Sequence, residues 1–569
     1  MEKKSMKGYL YLMPALIVIL LFTIYPLIRA FIMSFMEDYN MINGTYSSVG
    51  FSNYVSIFKD KYFIKALTNT GIYVAFVVPC SIALSLLIAV LLNSKIKFQG
   101  FFQTLYFLPY VTSVIAIGIV WRWIFNEHYG LLNQILSWFG IKAIPWLNKK
   151  QYALPALIIF SIWKSMAFDI LIFLAGLQTI SPDLYNAAKV DSTPKWRVFT
   201  KITLPGIMPM VSYALVMGMI NAFKVYNEVY SLFASKAGPA NSAITVVYYL
   251  YDKFYNQYEY GEASASAVVL FGIILVLTFV QRKLTGWIRE KMNKRKIVNV
   301  VAEVLKYAIL IAGAIFTLLP FLWMILSSLK TSAEITAIPP SLFPKVPQFS
   351  NFAEAWKSAP FPRYIFNTLV VTIISTAGVL VTTVLAAYAF ARLNFPGKKI
   401  MLSLMLATLM IPGEMLIITN FITITKLKWI NTYQAMIVPY LASVFYIYLL
   451  TQFFSQVPDA LYLAAKVDKC NDFKYLIKIM IPINKSPITT VCILNAIGCW
   501  NSFMWPLLVT NSKEMRVLSY GLMQFQTENG SSYELIMAAS CILVLPIVVV
   551  YLILRKYVIE GVTQSGIKG

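Results

Sequence analysis

Residues that usually carry out catalysis or bind metals are few and scattered in this chain of 569 residues. The single histidine is His128, and none of the cysteines belongs to a CxxC pair. A Ser-His triad or a histidine-based metal site is therefore nearly excluded, and we expect the cysteines to be small buried hydrophobic residues. The sequence predicts no catalytic residue and no metal site. The five cysteines are Cys80, Cys470, Cys492, Cys499 and Cys541.

The chain also lacks the glycine-rich loop with which many proteins hold the phosphates of ATP. That loop has the pattern GxxxxGK[ST], in which backbone N–H groups and a lysine contact the phosphates. The nearest sequence, PGKK at residues 396–399, has no upstream glycine at the required spacing. We therefore expect this chain to bind no cofactor itself.

Composition favours a protein that is surrounded by lipid. Hydrophobic residues make up 59% of the chain and charged residues only 13%, whereas a water-soluble protein carries roughly 25% charged residues. The formal net charge of +24 suits either a nucleic-acid binder or a membrane protein with basic cytoplasmic loops. The segments between the basic clusters are too apolar for nucleic-acid binding, so we expect a lipid bilayer and no nucleic acid as partner.

Apolar runs long enough to cross a bilayer, about 20 residues each, occur roughly twelve times. They form two sets of six, which predicts an all-α polytopic membrane protein with two homologous six-helix halves. We assign residues 1–285 to the first half, 286–300 to a basic linker and 301–569 to the second half. The runs lie near residues 9–33, 70–93, 101–125, 152–178, 206–234, 263–281, 301–328, 364–391, 399–425, 432–455, 486–510 and 534–555.

Charge predicts how these spans are oriented. The linker and the N-terminal sequence MEKKSMKG are both basic, and an even number of spans per half places them on the same side. Because basic loops remain in the cytoplasm, we expect a multi-pass protein of the cell membrane with cytoplasmic N- and C-termini. The first apolar run is too long for a cleavable signal peptide, so it is expected to be a retained span.

Polar residues within the fifth span of each half are candidates for contact with a solute, because polar groups are costly in lipid. Aromatic rings can stack on apolar sugar faces while amides bond sugar hydroxyl groups. Alternatively, these residues form hydrogen bonds between helices, and Lys224 and Glu228 could pair along one helix. The candidates are Asn221, Tyr226, Asn227, Glu228, Asn495, Trp500 and Asn501, with Asp169 and Glu414 as weaker ones.

A segment between the fourth and fifth spans is repeated in the two halves. The first loop, residues 181–205, and the second loop, residues 457–482, share Pro-Asp, Leu-Tyr, AAKVD, a phenylalanine and a Lys-Ile step before a proline. The distance from Asp191 to Pro205 is 14 residues, the same as from Asp468 to Pro482. A duplicated element at equivalent positions indicates that the two halves share one function and one ancestor.

The sequence of the first loop predicts a bent helical projection. Ser181 is a good N-cap, and Pro182 suits the first turn of a helix. The adjacent Ala187 and Ala188, like Ala464 and Ala465 in the second loop, allow another backbone to come close. An amphipathic helix that lies on lipid is the alternative, but it does not require the same turn twice, so we predict docking of both loops onto a cytoplasmic partner.

At these residues the chain resembles the permease subunits of binding-protein-dependent ABC importers of the carbohydrate-uptake branch, of the maltose, glycerol-phosphate and lactose type. That family has a cytoplasmic loop of the form EAA, then Asp-Gly, then Ile-x-Leu-Pro. Further motifs extend the resemblance over nearly the whole chain, with the first and second permeases of a sugar-importer pair joined in one polypeptide. They are residues 109–133, 175–181 and 237–265 in the first half, and 386–399, 410–415 and 499–510 in the second.

The resemblance implies a type I ABC importer permease fold, a carbohydrate-like substrate and an extracytoplasmic solute-binding protein. It also implies two ATPase subunits, or two copies of one, beneath the loops, which would use ATP and Mg. An ion-coupled secondary transporter with two six-helix repeats is the alternative function, but such a carrier needs no loop for docking an ATPase. The implied ATPase-coupling residues are Ala187, Ala188, Asp191, Pro205, Ala464, Ala465, Asp468 and Pro482.

Two positions of the loops differ from the family pattern. Asn186 and Leu463 replace the family's glutamate, and Ser192 and Lys469 replace its glycine. Docking by shape and apolar contact is therefore expected, with matching changes in the ATPase partner.

Overall fold

The computed structural model describes residues 6–41, 43–94, 97–291, 303–409, 411–522 and 532–565. Helices make up most of these residues, and the only β-structure among them is an isolated antiparallel bridge between Met36 and Val49. Within the predicted linker 286–300, residues 292–300 lie outside the described residues.

The described residues contain eight helices that are long and apolar enough to cross a membrane, and four further pairs of helices that meet at a bend. Counting each bent pair as one span gives twelve, and each overlaps one of the twelve predicted apolar runs, although both fifth spans begin more than ten residues earlier than predicted. The predicted fold class is confirmed. The eight helices are Lys7–Met33, Lys61–Asn93, Lys150–Gln178, Lys195–Phe223, Tyr260–Gln281, Ile309–Ser328, Phe361–Arg392 and Tyr533–Ile553.

The bent pairs are the third span of the first half and the third, fourth and fifth spans of the second half. Shorter helices connect the spans. The pairs are Gln99–Val111 with Val114–Ile124, Lys398–Thr408 with Gly413–Lys426, Tyr433–Tyr440 with Val444–Gln456, and Asp472–Ile483 with Lys485–Trp500. The connecting helices include Ser52–Lys59, Leu131–Trp138, Pro182–Val190, Asn227–Leu232, Val246–Tyr251, Ser350–Ser358, Asp459–Val467 and Met504–Val509.

The first span of the first half packs against the second half. The hydroxyl of Tyr9 donates to the carbonyl oxygen of Pro396 at 2.6 Å. Farther along the same span, the Phe22 carbonyl accepts a hydrogen bond of 3.1 Å from Asn420. The side chain of Thr419 likewise donates to the carbonyl of Pro26 at 3.0 Å, just after the π-helical turn Leu20–Ile24 of this span.

The first span of the second half makes the reciprocal contact with the first half. The hydroxyl of Tyr106 donates to the Leu310 carbonyl at 2.8 Å, and the indole of Trp163 donates to the carbonyl of Phe316 at 3.2 Å. The rings of Trp123 and Trp323 stack with centroids 4.3 Å apart. Because each half contributes a span to the other, both apolar clusters of the described residues contain side chains from the two halves.

A second duplicated element holds the connections at the end of the bundle opposite the two loops. The amide of Asn69 donates to the carbonyls of Ser242 (3.0 Å) and Ile244 (2.9 Å). In the other half, the equivalent Asn367 donates to the carbonyls of Glu514 (2.7 Å) and Arg516 (2.8 Å). Both asparagines are buried, so each satisfies two carbonyls of a connecting segment that has no regular backbone partners there.

One further asparagine lies earlier in each half, and these two asparagines also make equivalent contacts. Asn53 donates to the carbonyls of Ser34 and Met36 at 3.1 and 2.9 Å, and Asn351 donates to those of Ser328 and Lys330 at 2.9 and 2.8 Å. In both halves the sequence FSN is followed by a sequence NT, and the two asparagines are 16 residues apart. This repeat was visible in the sequence and was missed.

Replacing Asn69 or Asn367 with leucine should destabilise the protein, because two backbone carbonyls would lose the hydrogen bonds that this amide donates. The expected loss is about 1–3 kcal/mol for each variant, measured as a lower midpoint of thermal unfolding in detergent. Thr68→Leu, at the exposed neighbouring position, is the matched control and should unfold like the wild type. An Asn69→Leu variant that unfolds at the wild-type temperature would contradict this role.

Candidate functional site

Each predicted loop contains a nine-residue helix: the first loop helix is Pro182–Val190 and the second is Asp459–Val467. The hydroxyl of Ser181 accepts from the Asp183 N–H at 3.2 Å, so it forms the predicted N-cap. The paired alanines divide between two environments. Ala188 and Ala465 are buried against the bundle, whereas their neighbours Ala187 and Ala464 are exposed.

Both loop helices end in the same left-handed turn. The backbone φ angles of Ser192 and Lys469 are +47° and +54°, a conformation that favours glycine. The N–H of Thr193 donates to the Ala188 carbonyl at 2.8 Å, and the N–H of Cys470 donates to that of Ala465 at 2.9 Å. This is the six-to-one bond of a Schellman motif. Loss of the glycine has therefore left the turn in place, with a strained residue in each loop.

Apolar side chains cover the outer face of each loop helix. In the first, Leu184 and Val190 are 52% and 85% exposed; in the second, Leu463 and Val467 are 59% and 81% exposed. Asn186, which replaces the family's glutamate, is also exposed, as are Asp191 and Asp468 at the helix ends. The helix faces that are predicted to dock a partner are thus exposed and apolar.

The second loop helix is fixed to the bundle by the carboxylate of Asp472. This carboxylate accepts from the ammonium of Lys466 at 2.7 Å and from the hydroxyls of Tyr462 at 3.0 Å and Tyr388 at 3.2 Å. Burial alone would lower the pKa of Lys466, but the hydrogen bond and charge of Asp472 raise this pKa above its usual value. The Arg392 guanidinium also pairs with Asp459 at the start of the helix.

Different side chains attach the first loop helix to the bundle. The hydroxyls of Tyr185 and Thr203 bond to each other at 3.1 Å. Lys195 occupies the position equivalent to Asp472, 277 residues earlier, as Asp191 precedes Asp468 by 277. A lysine cannot accept from Lys189, the counterpart of Lys466. The two loops are therefore alike in backbone but unlike in the side chains that hold them.

Both loops lead into a π-helical turn before the predicted proline. The turns are Phe199–Thr203, followed by Pro205, and Leu476–Met480, followed by Pro482. A proline has no N–H to donate and its ring displaces the carbonyl one turn earlier, and a wider turn accommodates it. The prolines thus set the direction in which the fifth span leaves each loop.

The fifth spans, which the sequence predicted as continuous, break at equivalent positions. The first breaks over Lys224–Tyr226 and the second over Asn501–Phe503. The φ and ψ angles agree closely: −91° and 10° at Lys224, −87° and 0° at Asn501. The third spans bend as well, by 100° after Val111 in the first half and by 96° before Gly413 in the second.

The bend of the first-half third span is held by side chains from both halves. Lys164 donates to the Thr112 carbonyl at 2.7 Å and also to the Pro109 carbonyl. Asn501, at the break in the other half, donates to the Val111 carbonyl at 2.7 Å. These carbonyls have lost their helical partners, and in lipid each would otherwise carry a large energetic cost. Lys164 was missed by the sequence analysis, although a lysine in an apolar run is itself a signal.

Two carboxylates from opposite halves, Glu228 and Glu414, lie near these broken helices. We call the region around Lys164, Glu228, Glu414 and Asn501 the seam. The Glu228 carboxylate, just after the first break, interacts electrostatically with Lys164 and with Glu414 of the second half. The proposed pairing of Lys224 with Glu228 along one helix is wrong, because the helix is interrupted between them. Glu414 begins the helix after the second-half bend, so three of the breaks meet around these charges.

The remaining predicted pathway residues differ in burial and in contacts. Tyr226 is buried among other tyrosines, with its ring 4.9 Å from that of Tyr251. Asn227 is half-buried, and Asn221 is exposed. In the second half, the Asn495 amide donates to Thr376 at 3.1 Å, and the Trp500 indole donates to the Leu543 carbonyl at 3.4 Å. Asn495 and Trp500 thus bond to neighbouring helices of their own half.

Ser192→Gly and Lys469→Gly should stabilise the ends of the loop helices, because glycine adopts positive φ without steric conflict. We expect slower hydrogen exchange of the Thr193 and Cys470 amides, equivalent to about 1 kcal/mol. Lys189→Gly, within the first loop helix, should act in the opposite direction by a similar amount, about 1 kcal/mol. Faster exchange in Ser192→Gly would contradict the left-handed turn.

Asp472→Asn should loosen the second loop selectively, because three donors would lose their charged acceptor. Amide exchange across Asp459–Val467 should become faster by an amount equivalent to about 1–3 kcal/mol, with the first loop unchanged. Asp468→Asn removes an exposed carboxylate one turn away and is the matched control. Equal effects of the two substitutions would show that Asp472 does not hold the loop.

Comparison with known proteins shows two copies of one family in this chain. Residues 81–294 and 378–564 match the family described as "Binding-protein-dependent transport system inner membrane component". The arabinooligosaccharides transport system permease protein AraP of Bacillus subtilis (strain 168) is 36% identical over 285 residues, which are 50% of this chain and 90% of that protein. The lactose transport system permease protein LacF of Rhizobium radiobacter is 31% identical, covering 49% of this chain and 93% of LacF.

A solved structure is similar over the same extent. It is the crystal structure of a bacterial alginate ABC transporter in complex with alginate pentasaccharide-bound periplasmic protein. The match has 27% sequence identity and a TM-score of 0.43, and covers 49% of this chain and 94% of the other.

Proposed function

Because the chain belongs to the family of binding-protein-dependent transport system inner membrane components, we propose that it provides both transmembrane halves of an ABC importer for a carbohydrate. Separate ATPase subunits drive the transport, and a solute-binding protein delivers the sugar. The duplicated loop helices are the observation that carries this proposal. The names of the relatives, which include permeases for arabinooligosaccharides and lactose, support a sugar as substrate.

The loop helices are the surfaces on which two ATPase subunits dock. Both helices have the same length, end in the same left-handed turn and expose aliphatic side chains, as two equivalent partners require. The two loop helices have the same backbone conformation although different side chains hold them. This supports docking of both helices onto the same kind of partner surface. The ATPases bind ATP and Mg, and this chain binds no cofactor.

The loop helices and both termini lie on the cytoplasmic side. The start of the first span, the end of the span Phe361–Arg392 and the second loop helix lie at one end of the bundle, as the contacts of Tyr9 with Pro396 and of Arg392 with Asp459 indicate. Basic residues are concentrated on the connections at this end, which favours the cytoplasm. The solute-binding protein then docks at the opposite end, where the asparagine pairs hold the connecting segments.

The chain divides functionally at the basic linker. Residues 1–285 form one permease half, 286–300 the linker and 301–569 the other half, with a coupling loop in each. Closure of the ATPases moves the two loops together and opens the seam alternately to the two sides, in the way that transporters with internal repeats work. The candidate solute contacts are Asn221, Tyr226, Asn227, Glu228, Asn495, Trp500 and Asn501.

An ion-coupled secondary transporter is the less favoured function. It would use two six-helix repeats equally well, but it has no need for paired helices with exposed aliphatic faces at one end of the bundle. Exposed apolar surface is a liability unless a partner covers it. Uptake by this chain in membranes without any ATPase would favour the secondary transporter.

Val190→Glu and Val467→Glu together should abolish copurification with the ATPase subunits. Both valines are exposed, so a charge there blocks the apolar contact without disturbing the fold of the permease. Ala188 and Ala465 are less suitable, because they are buried and a bulky replacement would displace the helix itself. Val346→Glu, at an exposed valine in the connection after the first span of the second half, is the control and should retain the complex. Normal copurification of the double variant would refute the docking role.

A further inference from the structure

Each half carries one short helix between its first and second spans, at the end of the bundle opposite the loop helices. The first short helix is Ser52–Lys59 and the second is Ser350–Ser358. Starting from the residue before each helix, their sequences read FSNYVSIFK and FSNFAEAWK. Each short helix packs against the sixth span of its own half. The repeat therefore gives the two halves equivalent surface elements at this end.

The surface of each short helix divides into three sectors, because successive side chains of a helix are rotated by about 100°. One sector is buried against the bundle through Asn53 and Ile57 in the first half, and through Asn351 and Ala355 in the second. A second sector is exposed and polar, with a serine at its start and a lysine at its end in both helices. The third is exposed and apolar. These apolar sectors consist of Phe51, Val55 and Phe58 in the first half and of Phe349, Ala353 and Trp356 in the second.

The largest side chains of the apolar sectors are well exposed although they are aromatic. Phe51 and Phe349, at equivalent positions, are 70% and 72% exposed. A helix that needed only to cover the bundle on one side and face water on the other would have no use for a second apolar sector. Two unlike exposed sectors side by side instead match a boundary between water and lipid.

An aromatic contact places each apolar sector at the outer end of a membrane span. The ring of Phe58 lies 5.5 Å from that of Phe63, and the ring of Trp356 lies 6.1 Å from that of Phe361. Phe63 and Phe361 are buried in the first turns of the second spans. Farther along, these spans expose large apolar side chains as lipid-facing helices do, among them Ile72, Phe76, Ile373 and Ile374. The apolar sectors thus adjoin the surface that lipid already covers.

We propose that both short helices lie in the headgroup layer of the lipid leaflet at this end, with their apolar sectors inserted toward the acyl chains. Aromatic rings are favoured at this depth, because one side of the layer is apolar and the other is hydrated. Lys59 and Lys357 occupy equivalent positions in the last turns and are both exposed. From the polar sectors, their ammonium groups reach the lipid phosphates while their stems remain on apolar surface.

A lipid leaflet fits the repeat better than a protein does. A leaflet surrounds the bundle and presents the same chemistry to both halves, so two equivalent helices meet equivalent surroundings. A single solute-binding protein would offer each helix a different part of its surface. The buried asparagines add to this, because Asn53 and Asn351 tie the short helices to the ends of the first spans. Each helix is thereby held at a fixed height relative to the spans beside it.

The test uses the full chain in phosphatidylcholine nanodiscs, with the native cysteines replaced and one fluorophore attached to a single new cysteine. Val55→Cys and Ala353→Cys place the probe in the apolar sectors. Ser52→Cys and Ser350→Cys, at exposed polar positions of the same helices, are the matched controls. Quenching is measured with a lipid that carries a nitroxide near the top of its acyl chain, and separately with iodide from the water.

The nitroxide lipid should quench the probes of the apolar sectors about threefold more strongly than the control probes, since an interfacial helix buries only its apolar side. Iodide should show the reverse order. Adding Phe58→Ser to the Val55→Cys chain should weaken quenching by the lipid about twofold, because a large part of the inserted surface is lost. Tyr46→Ser, at an exposed aromatic residue outside the short helix, is the control and should leave the quenching unchanged. An unfolding midpoint equal to that of the parent chain verifies that each variant folds.

Two results would overturn the proposal. Equal quenching of both kinds of probe by iodide would show that the apolar sectors face water and are open to a protein. Equal quenching by the nitroxide lipid would show that the helices have no preferred side toward the leaflet. Neither result depends on the substrate or on ATPase subunits, so the importer function is tested separately by the copurification of the loop variants.

Discussion

The structure depends on one constraint: a backbone carbonyl that leaves a helix within lipid must find another donor. The third and fifth spans are interrupted in both halves, and each interruption frees carbonyls that lipid cannot hydrate. Lys164 and Asn501 supply the donors at the first-half bend. At this bend, each half contributes one of the two donor side chains.

The same constraint links the seam to the loops. Each fifth span starts at a loop, passes through a π-helical turn before a proline and ends at a break in the seam. The first loop is thus connected by one helix, Lys195–Phe223, to the break before Glu228, whereas in the second half the fifth span also bends by 83° between Asp472–Ile483 and Lys485–Trp500. Different side chains hold the two loops: the carboxylate of Asp472 in the second half, and the hydroxyls of Tyr185 and Thr203 in the first.

Hydropathy predicted the spans because crossing a bilayer requires about 20 apolar residues, and this pattern is written directly in the sequence. It did not predict the breaks, because a break is stabilised by donors from distant helices, such as Asn501 for Val111. The pairing of Lys224 with Glu228 failed for the same reason. The sequence repeat alone was enough to predict the duplicated loops. The anchoring of the second loop through Asp472 could not be predicted in this way, because it depends on Tyr388 from another span. The repeated asparagines at the opposite end could have been found in the same way.

The central claim is that the seam opens alternately to the two sides of the membrane when the loops move. It is tested most directly by placing a single cysteine at Asn221, an exposed position three residues before a break, in a variant whose native cysteines are replaced. Its reaction with a membrane-impermeant thiol reagent is then measured from each side, in the complex with and without bound ATP. The account predicts that the reactive side switches with nucleotide. Reaction from the same side in both states, or from neither side in either state, would contradict it.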